Sequence, residues 1–108
     1  MKRYCFDIDG TICQSKVGKY EQATPYFDRI EKINKLYGEG HYIIYFTARG
    51  MLTLDGDLFE VCRVWYDITK EQLSKWDCKY HQLILGKPSA DYYIDDKGIS
   101  DKNFFEQL

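Results

Sequence analysis

The sequence predicts a single α/β domain, a three-layer α/β/α sandwich with helices on both faces of a central parallel sheet. Two observations support this fold class. Apolar β-forming runs alternate with helical patterns along the chain, and 108 residues with 44% hydrophobic content suffice for one core. Strands separated by helices pair in parallel through right-handed crossovers. We therefore expect residues 1–108 to form one domain.

Four apolar segments are predicted to be strands. The first is Tyr4–Phe6, and the second is Tyr42–Phe46, a continuous β-forming run that is apolar on both faces and ends at Thr47. Two shorter strands are expected at Leu83–Leu85 and Tyr92–Ile94. Because the second strand is apolar on both sides, we expect it to be central and covered by helices on each face.

An amphipathic helix is predicted between the first two strands. Residues 10 to 24 are rich in Gly, Ser, Gln and Lys and are predicted to be a loop. Thr24 is expected to cap the helix, with Pro25 at its first position, where the missing N–H is not needed. Apolar residues then recur at helical spacing until Gly38, where the helix is expected to end.

A second helical pattern lies between the second and third strands. Apolar residues recur at helical spacing from Leu58 to Trp76. Thr69 with Gln72 matches a capping box that would restart the helix, so one helix and two helices both remain open. The tail from Ser100 is expected to close with a short helix.

Composition and charge exclude several classes of protein. Fifteen Lys and Arg against 17 Asp and Glu give a net charge of −2, which offers no broad basic surface for nucleic acid. No segment approaches the roughly 18 apolar residues of a membrane helix, and the first residues lack the apolar stretch of an export signal. The four cysteines match no zinc spacing and are expected to be reduced. We expect a cytoplasmic protein that binds neither nucleic acid nor membranes.

Polar residues follow each predicted strand. They are Asp7 and Asp9 after the first strand, Thr47 at the end of the second, Lys87 after the third, and Asp95 with Asp96 after the fourth. The carboxyl ends of parallel strands meet at one edge of a sheet, where ligands bind. We therefore expect these side chains to share one crevice.

Carboxylates gathered in one crevice repel one another and imply a bound cation. Ligation by oxygen alone, with no His or Cys at the strand ends, favours Mg²⁺ over zinc. A magnesium ion and Lys87 would neutralise a phosphoryl group, and the Thr47 hydroxyl could donate a hydrogen bond to one of its oxygens. The predicted ligand is therefore a small phosphorylated substrate.

Asp7 and Asp9 have the spacing of a nucleophile and its proton carrier. A carboxylate that attacks phosphorus forms an aspartyl phosphate and divides the displacement into two easier steps. Side chains two apart on an extended backbone point to the same face, so the second carboxylate can protonate the leaving alkoxide and later deprotonate water. Gly10 allows the turn out of the strand, and Thr11 can hydrogen-bond the loop beside the substrate. Arg49 is open to two interpretations, a substrate contact or a salt bridge.

The run Asp7-Ile8-Asp9-Gly10-Thr11, followed by Thr47, Lys87 and the pair Asp95-Asp96, resembles the four-motif signature of the haloacid dehalogenase superfamily of phosphatases. The order of the motifs is the family's, and the resemblance spans nearly the whole chain. It implies that Asp7 is the nucleophile and Asp9 the acid/base. It also implies that Thr47 and Lys87 hold the phosphoryl group. The expected metal ligands are Asp7, the Asp9 backbone carbonyl, and Asp95 or Asp96.

Members of this superfamily usually carry an inserted cap domain, and the stretches 11–23 and 50–78 are too short for one. The chain is therefore similar to the capless group. Its Gly-Lys-Pro and Tyr-Tyr-Ile-Asp-Asp segments resemble those of compact members associated with bacterial surface-polysaccharide synthesis, which implies a sugar or polyol phosphate as substrate. An open crevice could also admit a nucleotide or a phosphoprotein, unless a neighbouring subunit of a homo-oligomer covers it.

Two functions other than a phosphatase also fit parts of this pattern. A phospho-accepting receiver domain gathers similar residues, but it would need an adjacent acidic pair after the first strand and a lysine after the last. Here Lys87 precedes the acidic pair. A binding protein that has lost turnover is the other alternative, and every catalytic position of the signature is filled. The sequence favours an enzyme.

Overall fold

The computed structural model describes residues 1–108. In chain order its elements are β1 (Arg3–Phe6), β2 (Cys13–Gln14), β3 (Thr24–Pro25), α1 (Phe27–Gly38), β4 (Tyr42–Thr47), α2 (Leu58–Lys75), β5 (Gln82–Leu85) and α3 (Asp101–Glu106). None of the helices is long and apolar enough to span a bilayer. The protein is a small α/β domain.

Three strands form a parallel sheet in the order β1-β4-β5. Phe6 lies beside Tyr45, and Thr47 lies beside Leu85, so the carboxyl ends of all three strands meet at one edge. The first three strands predicted from the sequence are confirmed, each within one residue. This parallel arrangement puts the residues that follow the strands close together.

The core lies on one face of this sheet. The buried strand residues all point to that face and form one cluster with the buried residues of the three helices; the strand members are Phe6, Ile43, Tyr45, Leu83 and Leu85. On the opposite face Cys5 and Ile84 are exposed, and no side chain is fully buried. The arrangement therefore differs from the expected helices on both faces, because all three helices contribute to the same core.

The loop after β1 contains more structure than predicted. Its residues Cys13 and Gln14 pair antiparallel with Pro25 and Thr24. The Tyr26 amide then donates to the Ile12 carbonyl at 2.8 Å, and α1 begins at Phe27. The predicted start at Thr24 and Pro25 was therefore wrong, because both residues are used in the small hairpin. The predicted end at Gly38 is confirmed.

The stretch after β4 forms one continuous helix rather than two. Asp57 caps α2 by accepting a hydrogen bond from the Glu60 amide at 3.2 Å. Thr69 and Gln72 are buried inside the helix and do not restart it. The predicted short helix at the tail is confirmed as α3, capped by Ser100.

The predicted fourth strand, Tyr92–Ile94, does not form. Residues 88–99, which we call the arm, adopt neither helix nor strand, and every one of them is exposed. No hydrogen bond between two backbone groups involves an arm residue. A strand of three residues has no stability without a neighbouring strand to pair with, and the arm contacts none. The β-forming composition of this segment therefore did not determine its conformation.

Candidate active site at the carboxyl edge of the sheet

Asp7, Thr47 and Lys87 come together where the sequence predicted. Asp7 directly follows β1, Thr47 is the last residue of β4, and Lys87 follows β5 after one glycine. The Lys87 amide donates to the Thr47 carbonyl at 3.1 Å, which continues the β4–β5 pairing beyond the strand. The Lys87 Nζ lies 3.6 Å from Asp7 Oδ1. A carboxylate and an ammonium therefore face each other at the sheet edge.

Asp7 is a partly desolvated carboxylate. Its side chain is 32% exposed, and that of Lys87 is 19% exposed. Burial raises the pKa of Asp7, while the charge of Lys87 and a backbone hydrogen bond from Ile8 act in the opposite direction. Lys87 is thus the cation that favours the ionised, nucleophilic form of Asp7.

Thr47 is fully buried at the base of the site. Its Oγ1 accepts a hydrogen bond from the Arg49 amide at 3.1 Å. A hydroxyl that accepts one bond still has its own hydrogen to donate. The geometry is therefore compatible with the predicted donation to a phosphoryl oxygen.

Arg49 binds Asp9. Its Nε lies 2.9 Å from Asp9 Oδ2 and its Nη2 lies 3.0 Å from Asp9 Oδ1, a two-point ion pair. The arginine is only 1% exposed. Of the two interpretations that the sequence left open, the structure shows the salt bridge; Arg49 also lines the cleft beside Asp9, and its contact with substrate stays a prediction. An arginine matches both oxygens of a carboxylate with its planar fork of donors, which makes this geometry specific.

Further residues complete this polar cluster, and the sequence did not predict their contacts with Asp9 and Arg49. Ser15 donates to Asp9 Oδ1 at 2.7 Å, Thr69 accepts from Arg49 Nη1 at 3.3 Å, and the Tyr20 ring lies 5.0 Å from the guanidinium. Nothing in the sequence marks Ser15 as part of a site. Thr69 stands at a core position of α2, where a polar residue indicates a buried hydrogen bond, but its spacing from Gln72 also matches a helix cap.

Cys13 lies beside the same carboxylate. Its thiol donates to Asp9 Oδ1 at 3.4 Å. Burial, and after it the nearby Asp9 charge, raise the pKa of Cys13 to about 12. The thiol is therefore protonated at neutral pH and acts as a hydrogen-bond donor rather than as a nucleophile.

Gly10 and Thr11 shape the turn that leaves β1. Gly10 has φ 86°, a left-handed conformation that favours glycine, as predicted. The Thr11 amide donates to the Ile8 carbonyl at 3.1 Å, and its own carbonyl accepts from Arg29 at 3.0 Å. Gly10 lines the cleft above Asp7, while Thr11 is not among its lining residues. Thr11 is therefore bonded within the loop through its backbone, and its predicted role beside the substrate stays a prediction.

Asp95 and Asp96 do not join the site within the chain described here. Both are exposed on the arm, and Asp95 Oδ1 accepts a hydrogen bond from the Lys97 amide at 2.7 Å. Nowhere in residues 1–108 are three side chains of His, Cys, Asp or Glu gathered closely enough to hold a metal ion. The expected convergence of four carboxylates fails because the fourth strand, which would carry this pair to the edge, does not form.

A cleft of about 390 Å³ opens above Asp7 and Asp9. Its walls come from the loop after β1, the loop after β4 and the start of the arm; among the lining residues are Gln14, Ser15, Val17, Tyr26, Leu52, Ser89 and Tyr93. Lys87 Nζ lies 4.2 Å from the Tyr93 ring. The acidic edge of the sheet is thus accessible to a small molecule.

Comparison with known structures identifies a relative. A structural-genomics target from Vibrio cholerae, solved by crystallography, shares 30% identity and superposes with a TM-score of 0.89 over 97% of this chain and 88% of that chain. The chain belongs to the family of this Vibrio protein. No protein-family model and no curated protein matches the sequence.

Two further structures resemble the family in fold alone. They are described as the Pnkp1/Rnl/Hen1 complex, at 18% identity and TM-score 0.60, and the Pnkp1/Rnl/Hen1 RNA repair complex, at 17% identity and TM-score 0.58. The present chain is covered over 98% and 99% of its length but corresponds to only 33% and 30% of those chains. It is therefore similar in fold to one part of a much larger protein.

Proposed function

We propose that the protein is a Mg²⁺-dependent phosphomonoesterase of the haloacid dehalogenase superfamily, of the capless type, with Asp7 as nucleophile. One observation carries the proposal: the Lys87 ammonium lies 3.6 Å from the Asp7 carboxylate at the carboxyl edge of a parallel sheet, beside Thr47. This combination provides a nucleophile, a cation and a hydroxyl donor within one small region. Phosphoryl transfer needs little more than positioning and charge stabilisation.

The side chains of the site would divide the reaction as follows. Asp7 attacks phosphorus, and the bond from phosphorus to the leaving oxygen breaks as the aspartyl phosphate forms. Lys87 and the Thr47 hydroxyl stabilise charge on the phosphoryl oxygens. Asp9 enters the reaction protonated, gives this proton to the leaving oxygen and becomes a carboxylate, which then takes a proton from the water that hydrolyses the aspartyl phosphate and so returns to its starting form. Arg49 and Ser15 hold the Asp9 carboxylate formed between the two steps.

A magnesium ion would supply further positive charge against the phosphoryl group. Of the two aspartates that follow β1, only Asp7 has a carboxylate that is not held by an arginine. The set of ligands within a single chain is incomplete, because Asp95 and Asp96 are exposed on the arm.

The proposed substrate is a small sugar or polyol phosphate, in keeping with the resemblance to proteins of surface-polysaccharide synthesis. A cleft of about 390 Å³ has room for a phosphoryl group with a compact leaving group. Lys87 lies beside the cleft, next to its lining residues Asp7 and Tyr93, and the only lysine or arginine among the lining residues is Arg49, which is paired with Asp9. A substrate with a second anionic group would therefore find no free cation in the cleft. A nucleotide or a phosphoprotein is the alternative, and fold likeness to part of an RNA repair complex does not favour either.

The test is hydrolysis of 4-nitrophenyl phosphate and of a panel of sugar, polyol and nucleoside phosphates, with Mg²⁺ and with EDTA. We expect turnover that requires Mg²⁺ and that is highest on a small monoester. Turnover unaffected by EDTA would remove the metal from the proposal. If no compound in the panel is hydrolysed while inorganic phosphate binds, the protein is a binding domain.

Lys87→Met is expected to lower kcat/KM about 100- to 1,000-fold, the usual effect of removing one donor to the transition-state charge. It should also move the acidic limb of the pH profile to higher pH. The reason is that Lys87 lowers the pKa of Asp7, and Asp7 must be ionised to attack. Lys70→Met, at an exposed position of α2, is the matched control and should leave both unchanged. An unmoved acidic limb in the Lys87 variant would show that Asp7 is not the group that titrates.

A further inference from the structure

Apart from aromatic residues and cysteine, the chain buries only four polar or charged side chains, and they lie in two places. Thr47 and Arg49 belong to the end of β4 and the loop that follows it, whereas Thr69 and Gln72 lie about one turn apart on α2. A buried polar group destabilises a fold unless hydrogen bonds replace its lost contacts with water. An apolar residue at either α2 position would avoid this cost, so the polar atoms of Thr69 and Gln72 need an explanation.

Thr69 supplies the third contact of the Arg49 guanidinium. Nε and Nη2 of the arginine bond the Asp9 carboxylate, and Nη1 donates to Thr69 Oγ1 at 3.3 Å. The two bonds to Asp9 orient the arginine and the carboxylate relative to each other, whereas the bond to Thr69 ties the pair to α2. Thr69 is fully buried and is not among the residues that line the cleft. A side chain outside the cleft therefore helps to set the direction of Asp9.

Gln72 reaches the same guanidinium indirectly, through Tyr20. The Tyr20 ring lies 5.0 Å from Arg49 Cζ, and the Tyr20 carbonyl accepts a hydrogen bond from Gln72 Nε2 at 2.8 Å. The ring also packs edge-on against Trp65 of α2, with 5.0 Å between the ring centres. Gln72 Oε1 is buried without a hydrogen-bond partner, which is unfavourable. The bond to Tyr20 is therefore what an amide at this position contributes.

We propose that Thr69 and Gln72 are positioning residues that hold the Arg49–Asp9 pair in the direction required for proton transfer. The inference rests on the proposed function, in which Asp9 gives a proton to the leaving oxygen and later takes one from water. Both transfers need the carboxyl group within hydrogen-bond reach of the reacting oxygen, and a small displacement of a catalytic group lowers the rate strongly. Contacts of α2 with Arg49 and Tyr20 would thus act on the chemistry without touching the substrate.

The leaving group distinguishes this role from a purely structural one. The alkoxide of a sugar or polyol phosphate is strongly basic and needs a proton as it departs, whereas 4-nitrophenolate is a stable anion that departs without one. A displaced Asp9 should therefore slow the attack of Asp7 on an alkyl phosphate and leave its attack on 4-nitrophenyl phosphate nearly unchanged. A variant that is only partly folded would lose both activities in the same proportion.

Thr69→Val keeps the shape of the side chain and removes its hydroxyl. We expect kcat/KM for the best sugar or polyol phosphate to fall about tenfold, while kcat/KM for 4-nitrophenyl phosphate stays within about twofold. With the aryl substrate kcat and KM should fall together, because hydrolysis of the aspartyl phosphate still needs Asp9. Thr69→Ser keeps the hydroxyl and should restore the wild-type values. Thr53→Val, at an exposed position of the loop after β4, is the matched control and should change none of them.

Gln72→Met removes the donor to Tyr20 and tests the same inference independently. It should lower the ratio of kcat/KM for the alkyl substrate to kcat/KM for the aryl substrate, as Thr69→Val does. This ratio does not depend on the concentration of folded protein, so it remains informative for a destabilised variant. An unchanged ratio in either variant, beside an active wild type, would overturn the positioning role of that residue. A wild type that hydrolyses neither substrate would instead refute the proposed function, and this inference with it.

Discussion

Asp7→Asn is expected to lower kcat by about ten-thousand-fold or more, the scale seen when a nucleophile of a covalent mechanism is removed. The amide keeps the shape of the side chain but cannot form an aspartyl phosphate. Steady-state hydrolysis of 4-nitrophenyl phosphate measures the loss. In contrast, Asp9→Asn should still form the aspartyl phosphate and should release phosphate from it more slowly, because the base that activates water is gone.

The stability of Asp7→Asn provides a control for folding and a second check on the site. Burial raises the pKa of Asp7, so its ionised form is disfavoured in the folded state. At pH values below the ordinary pKa of an aspartate, the Asp7 side chain is protonated in both the folded and the unfolded state, so its burial does not destabilise the wild type. As pH rises through the folded-state pKa, wild type should lose stability relative to the Asn variant. Thermal unfolding at several pH values measures this, and a wild type that gains relative stability with rising pH would contradict the assigned desolvation.

Arg49→Met is expected to destabilise the fold by about 3 kcal/mol, near the lower limit for removing one partner of a buried ion pair. The arginine is 1% exposed and bonds Asp9 at two points, so its removal leaves a carboxylate without its counter-ion. The lower limit applies because the Asp9 side chain keeps 23% exposure and its bond from Ser15. In a domain of this size the melting temperature should fall by roughly 15 °C.

The double variant Asp9→Asn/Arg49→Met separates the ion pair from lost packing. It should be more stable than Arg49→Met alone, because no charge is left unpaired. Arg63→Met is the matched control: Arg63 pairs with Glu60 on the exposed side of α2 at 2.6 Å, and its loss should change stability little. Additive effects of the Asp9 and Arg49 substitutions would show that the two side chains do not depend on each other. Activity that survives Arg49→Met unchanged would show that Asp9 needs no positioning.

The strands, the parallel sheet and the three residues at its edge could be predicted from the sequence. Each depends on neighbours in the chain: β-forming runs mark β1, β4 and β5, and in a parallel sheet the residue after each strand arrives at the same edge. Asp7, Thr47 and Lys87 therefore followed from position alone. The loop between β1 and α1 could not be predicted in the same way, because its hairpin joins Cys13 to Pro25 through pairing rather than local preference.

By itself the sequence determined where the strands end and which chemical groups stand there. Only the tertiary structure decided that Arg49 binds Asp9, 40 positions away, and that the segment Tyr92–Ile94 does not join the sheet. The physical reason is the same in both cases. Local preference can indicate that a segment would form a strand or that a side chain is charged, but the partner that satisfies it lies elsewhere in space.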